Sequence, residues 1–136
     1  MIVHERPVKF EEVDAAGILY FARFFTFCHD AMEHLFDALP GGYVGLITKR
    51  RIGFPAVHVA GDFRAPLRYG DVALIEVSVA RIGETSATFR YELRRESDGA
   101  DIASFEHVTV ATSLDTMTKL RLPDDVRAVL EAHVAP

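Results

Sequence analysis

Between Ala22 and Leu39 the apolar residues Phe24, Phe25, Cys28, Ala31, Met32, Leu35, Phe36 and Leu39 recur in steps of three and four. Arg23, Thr26, Asp30, Glu33 and Asp37 fall mostly on the opposite side. This spacing predicts one long amphipathic helix with a wide buried face. Leu39-Pro40-Gly41-Gly42 ends it, because proline and two glycines do not continue a helix. From Ala56 the period changes to two: Val57, Val59, Gly61 and Phe63 alternate with His58, Ala60, Asp62 and Arg64. After a turn in Ala65–Asp71, strands are expected over Val72–Ile82, around Ala87–Leu93, and over Ile102–Leu114. Gly83-Glu84 and Ser97-Asp98-Gly99 separate them as hairpin turns. A first strand is expected over Ile2–Phe10, with Pro7 confining it to an edge, and a short C-terminal helix after Pro123.

Strand, long helix, then four long strands joined by tight turns make an α+β domain. Its antiparallel sheet must curve around the helix to bury the apolar stripe. Long strands leave long edges, so at least one edge is expected to pair with a second copy, giving a homodimer or homotetramer. At 136 residues, with no linker or repeat, residues 1–136 are expected to form a single domain. The hydrophobic fraction of 49% and charged fraction of 26% are those of a globular chain rather than a disordered one. A net charge of −5 disfavours nucleic acid as a partner. No apolar run approaches the roughly 20 residues of a membrane span, and the charged N-terminus does not read as a signal peptide. One cysteine, Cys28, allows no internal disulfide, and a cytoplasmic location is expected.

The usual catalytic signatures are missing: no phosphate-binding glycine loop, no dinucleotide fingerprint, no nucleophile elbow. His29 and His34 are five residues apart, about 140° around the helix, so they do not grip one metal ion, and no metal site is expected. Cys28 falls in the buried stripe and reads as a small core residue. What remains is Asp14, in a short Gly17-containing loop before the helix. A carboxylate there ordinarily caps the helix. Here the apolar stripe becomes continuous only near Ala22, eight residues on, beyond the two- or three-residue reach of a cap. Such a loop can instead aim N–H groups at one point near the positive end of the helix, a sensible arrangement for attack on a carbonyl.

Asp14-Ala15-Ala16-Gly17-Ile18-Leu19-Tyr20-Phe21 resembles the D-x-x-G-[IV]-x-[YF]-[FY] signature of the 4-hydroxybenzoyl-CoA thioesterase family. Gly53–Asp71 is similar to that family's Gly-x-Pro segment and the strand after it. The resemblance implies the hotdog fold, a curved antiparallel sheet wrapped around one central helix. It also implies hydrolysis of an acyl-CoA, with coenzyme A as part of the substrate and no separate cofactor. Asp14 would be nucleophile or general base, and the Phe21 N–H would polarise the thioester oxygen. Gly17, Ile18, Tyr20, Phe25, His29, Phe54 and His58 would meet the substrate. In hydroxybenzoyl-CoA enzymes the helix position matching His29 is an acid and the middle residue of Gly-x-Pro is polar. Here they are His29 and Phe54. The Cys28–Ala31 and Phe54–Phe63 stretches are more similar to 1,4-dihydroxy-2-naphthoyl-CoA thioesterases. An aromatic acyl-CoA is therefore expected. The alternatives are a short- or medium-chain aliphatic acyl-CoA, or a non-hydrolytic module that binds acyl-CoA. Candidate cations for the CoA phosphates are Arg51, Arg68 and Arg81, with Lys49, Arg50 and Arg64 nearby.

Overall fold

The computed structural model describes residues 2–135. Five strands form one antiparallel sheet in the order β1-β4-β5-β6-β3, namely β1 (Ile2–Pro7), β4 (Val72–Ile82), β5 (Ser86–Arg95), β6 (Asp101–Val110) and β3 (Ala56–Phe63). The central helix α1 (Arg23–Leu35) lies on one face, continued by a tighter 3-10 turn at Phe36–Ala38. Helix α2 (Gly42–Thr48) follows, and α3 (Asp124–Glu131) packs near the C-terminal end of the chain. No helix among the described residues is long and apolar enough to cross a membrane.

The buried face of α1 is Phe24, Phe27, Cys28, Ala31, Met32 and Leu35. It meets the inward residues of the sheet, which alternate along β4 (Ala73, Ile75, Val77, Val79) and β5 (Ala87, Phe89, Tyr91, Leu93), all at most 1% exposed. Phe27 is fully buried, whereas Phe25 is 41% exposed. Position 25 lies about 100° around the helix from position 24, which turns its ring off the core and toward β3.

Several boundaries differ from the sequence pattern for identifiable reasons. β1 stops at Pro7, which pairs with Val72 at the sheet edge and donates no N–H. The last strand breaks at Ala111: Thr112–Ser113 (β7) leaves the main sheet and pairs with Ile52–Gly53 (β2). β3 and β4 are not a hairpin. β3 pairs with β6 at the far edge, so residues 64–71 carry the chain past β6 and β5 to reach β4. Register shifts at Ala56/His58 in β3 and Val79/Arg81 in β4 add the local twist that bends the sheet around α1. All eight residues of β3 are exposed, including Val57, Val59 and Phe63, so this edge offers an unpaired eight-residue strand.

Candidate active site

Asp14 heads a tight loop. The Gly17 N–H donates to the Asp14 carbonyl at 2.9 Å, and Gly17 takes φ +79°, a conformation that glycine alone adopts without strain. The Asp14 N–H donates to the Ile18 carbonyl at 2.9 Å, closing the loop. Its carboxylate Oδ1 accepts the Ala16 N–H at 2.9 Å, which holds the side chain over its own turn while Asp14 stays exposed. The crossing segment 64–71 anchors the loop from the other side. The Leu19 N–H donates to Leu67 at 2.7 Å, and Ile18 bridges Arg68.

Asp14 does not cap the helix. The cap position of α1 is Ala22, with helical backbone angles and no side-chain acceptor. The N–H groups of Arg23, Phe24 and Phe25 donate to the carbonyls of Tyr20, Phe21 and Ala22. Those of Phe21 and Ala22 donate to no backbone acceptor among the described residues. Orphan donors at a helix start, with the macrodipole behind them, favour negative charge.

Two cavities lie along α1 on the side of β3. The first is an open cleft of about 490 Å³ at the start of the helix, whose walls include Asp14, Ile18, Tyr20, Phe21, Phe24 and Phe63. Arg64 and Pro66 form its rim from the crossing segment. The second, one turn further along, is a narrower cavity of about 160 Å³ lined by Phe25, Cys28, His29, Ala56, Val59, Tyr91, Phe105 and His107. Phe24, Phe25, Phe63 and Phe105 meet edge to face or tilted between them, with centroids 5.1 to 6.1 Å apart.

Of the residues expected at a site, the cleft brings together Asp14, Ile18, Tyr20 and Phe21, and the Gly17 turn shapes its loop. The second cavity holds Phe25 and His29. His29 stands at the surface with Nδ1 3.1 Å from Glu33. Phe54 is not at either cavity: it is 6% exposed and stacked on Phe36 at 5.6 Å, inside the core. His58 lines neither cavity. It is exposed on β3 opposite Val108, and the period-two alternation turns it away from Val59 and the helix. Arg51 pairs with Asp115 at 3.1 Å beside β2 and lines neither cavity. Arg81 borders a groove with Ser86, Thr88 and Glu106 on the outer face of the sheet. Arg68, by contrast, adjoins the Asp14 loop, and its side chain has no carboxylate partner among the described residues.

Two further features, a buried ion cluster and a tyrosine–histidine bond, are not spelled out by the sequence pattern. Glu12, 2% exposed, receives both terminal nitrogens of Arg6 at 3.2 and 2.7 Å and the Lys9 N–H at 2.9 Å. Arg6 also reaches Asp30 on α1 at 3.1 Å and lies 4.5 Å over the Phe27 ring. Burial works against the Arg6 charge, but the hydrogen bonds it donates to Glu12 and Asp30 outweigh it and raise its pKa. In the second cavity, the Tyr91 hydroxyl lies 3.0 Å from His107 Nδ1. Burial, then the proximity of His29, lowers the pKa of His107, keeping the ring neutral at pH 7. Burial pushes the Cys28 thiol far up, so it is no nucleophile. A tyrosine on an otherwise apolar inward strand face is the one advance signal for the Tyr91–His107 bond, since a buried phenol needs a partner.

Known proteins are similar in sequence and share the fold. A 1,4-dihydroxy-2-naphthoyl-CoA hydrolase of Nostoc punctiforme is 32% identical over 130 residues, covering 96% of this chain and 86% of that protein. The crystal structure of a 1,4-dihydroxy-2-naphthoyl-CoA thioesterase from Synechocystis superposes with a TM-score of 0.86 at 25% identity, covering 98% of each chain. A gentisyl-coenzyme A thioesterase structure superposes with a TM-score of 0.83 at 26% identity, covering 95% of this chain and 99% of that one. The helix wrapped by a curved antiparallel sheet is thus the α+β hotdog fold of these thioesterases. Residues 8–130 match the model of the Thioesterase-like superfamily, and with a relative above 30% identity along almost its whole length, the chain belongs to that superfamily.

Proposed function

We propose that this protein hydrolyses an aromatic acyl-CoA to the free acid and CoA. The observation that carries the proposal is one cleft that joins the Asp14 carboxylate to the start of α1, where the N–H groups of Phe21 and Ala22 are unpaired. The thioester carbonyl binds there with its oxygen toward those donors. Asp14 either attacks the carbonyl carbon or takes a proton from the water that does. The tetrahedral oxyanion is held by main-chain N–H groups and the helix dipole. Collapse expels CoA as thiolate: on the general-base path it takes up the proton held by Asp14, and on the nucleophilic path water then cleaves the Asp14 acyl anhydride, giving the free acid, restoring the carboxylate and supplying that proton. No second acid is needed, because a thiolate is a good leaving group, and no cofactor is needed beyond the CoA of the substrate.

The acyl group extends along α1 into the second cavity, whose walls of Phe25, Tyr91 and Phe105 suit a flat ring better than a flexible chain. Arg64, on the rim of the cleft, and Arg68, beside the Asp14 loop, take the CoA phosphates in this reading. Arg51 and Arg81 lie elsewhere. The working unit is a homodimer, formed as a single hotdog domain pairs its open β3 edge with that of a second copy. Both cavities border β3, so that partner would close their open sides. CoA thioester chemistry and the single cysteine favour the cytoplasm.

The test is Asp14→Asn. It keeps the side chain's shape and its acceptor for Ala16, so folding and CoA binding should be retained. The rate of thiol release from an aryl-CoA should fall by about 10²- to 10⁴-fold. Near-normal hydrolysis by this variant would remove Asp14 from the mechanism.

A further inference from the structure

The second cavity is mostly apolar, and its buried polar groups are Tyr91 on β5 and His107 on β6, which meet, while His29 stands at its surface end. Tyr91 is 1% exposed and its ring lies 6.0 Å from the His107 ring at 29°. Neither group takes part in the proposed hydrolysis. Of the other polar residues lining the cavity, His29 is turned by its Nδ1 contact to Glu33 at the surface, and Cys28 is a neutral thiol. Placing a tyrosine and a histidine here, rather than the leucine and valine a core position would take, means burying two polar groups whose exchange for apolar ones of similar shape would cost little. Their use lies in what they leave free. A phenol has one donor and two acceptor positions, and a neutral imidazole has one donor and one acceptor. Once Tyr91 and His107 bond to each other, the pair retains an acceptor on the phenol oxygen and the second ring nitrogen of His107. With Tyr91 as donor to Nδ1, that second nitrogen carries the proton. The second nitrogen points away on the far side of the imidazole, so the phenol oxygen is the acceptor for a ring hydroxyl, and His107 fixes it in that role by holding the Tyr91 proton.

We propose that Tyr91 and His107 are a specificity pair that recognises a hydroxyl on the ring of the bound aryl-CoA. The proposal rests on the aryl-CoA reading of the cleft and names which aryl group the site prefers. The volume agrees with one ring: an apolar cavity of about 150 Å³ accommodates benzene, and this one is about 160 Å³. The neutral His107 ring, kept uncharged by burial, makes the recognition one of hydrogen bonding rather than of charge. A purely apolar pocket discriminates weakly against an added hydroxyl, whereas a site with polar groups aimed at it rejects the analogue lacking it. The sheet would thus read the ring, while the helix start reads the thioester.

The experiment compares thiol release from benzoyl-CoA and from its 2-, 3- and 4-hydroxy derivatives, as kcat/KM, in the wild type, Tyr91→Phe and His107→Phe. The wild type should favour at least one hydroxy isomer over benzoyl-CoA by about 10- to 100-fold. Each variant should bring that ratio to within about threefold of one. Both esters are measured on the same preparation, so the ratio does not depend on how much protein is folded. If a variant gives no soluble protein, calorimetry on the wild type replaces it: the matching hydroxybenzoate should bind at least about tenfold tighter than benzoate. A preference that persists in both variants, equal turnover of all four esters, or equal affinity for the two acids overturns the pair's role and leaves the hydrolase reading standing. Release of thiol from none of the four esters overturns the aryl-CoA reading and this inference together.

Discussion

Arg6 and Glu12 brace the loop that carries Asp14, and removing one of them should cost more than removing both. Glu12 is 2% exposed and its side chain is met by Arg6 and by the Lys9 N–H, while its carbonyl accepts the Tyr20 N–H at 3.0 Å. It thus ties β1 to both ends of the Asp14 loop. In Arg6→Met the carboxylate keeps only one N–H and is otherwise uncompensated in the core. Breaking a buried pair in this way costs about 3–5 kcal/mol. For 136 residues the unfolding entropy near the midpoint is about 0.29 kcal/mol/K, so Tm should fall by about 10–17 °C. Glu12→Gln is milder, about 2–3 kcal/mol, because Arg6 retains Asp30 and the Pro7 carbonyl. In Arg6→Met/Glu12→Gln both charges are gone and the new amide oxygen still accepts the Lys9 N–H, so the loss is about 1–3 kcal/mol. Thermal unfolding of the four proteins measures the cycle. Additive losses in the double variant, or a Tm change below about 3 °C for Arg6→Met, would refute the brace. The same loop sets the position of Asp14, so Glu12→Leu should also lower kcat by about tenfold or more, since a 1 Å misplacement can cost about a hundredfold.

Three more outcomes follow from the same geometry. Val57→Glu places a like charge in each copy on the exposed β3 edge, away from both cavities. Sedimentation should then show a shift from dimer toward monomer, and an unchanged mass would mean that another surface joins the copies. The pKa of His107 is lowered on folding from its ordinary 6.5, so the unfolded chain binds the extra proton first. Its stabilising effect is complete above about pH 6.5 and is lost as pH falls from there toward the folded value. Denaturant midpoints of His107→Gln should therefore decline less steeply from pH 7 to 5 than those of the wild type, and parallel curves would refute the assignment. Cys28, 4% exposed and with its thiol pKa pushed far up by burial, should react with a disulfide reagent only as fast as the protein opens. Labelling at the rate of a free thiol near neutral pH would contradict its burial.

The parts of the fold that were legible in the sequence are those fixed by local period. The stripe on α1 and the strands Val72–Ile82 and Ser86–Arg95 depend on residues three or two apart, and those offsets are written in order along the chain. Phe25 and Phe27 show the limit. Both are phenylalanines within one helical turn, and which faces the core depends on where the sheet lies, which the stripe alone leaves open. The order of β3 in the sheet was hidden for a similar reason. A turn with proline and glycine, such as Ala65–Asp71, looks alike whether it closes a hairpin or crosses two strands.

The same division runs through the site. The proposed reacting end runs from Asp14 to Ala22, nine consecutive residues whose loop closure and helix start are local, so it can be read from a motif. The acyl end is assembled from α1, β3, β5 and β6, and its residues are separated by up to 82 positions, from Phe25 to His107. Their meeting depends on the pairing of Phe89 with His107 and Tyr91 with Phe105, and on the bulge at Val57 that lets Ala56 and Val59 share one face. A slip of one residue between β5 and β6 would turn His107 to the outer face and part it from Tyr91. On the proposed reading, reaction type and substrate choice therefore lie on separable parts of this fold. The loop and helix start can keep one chemistry while substitutions at alternating strand positions change the ring that is accepted.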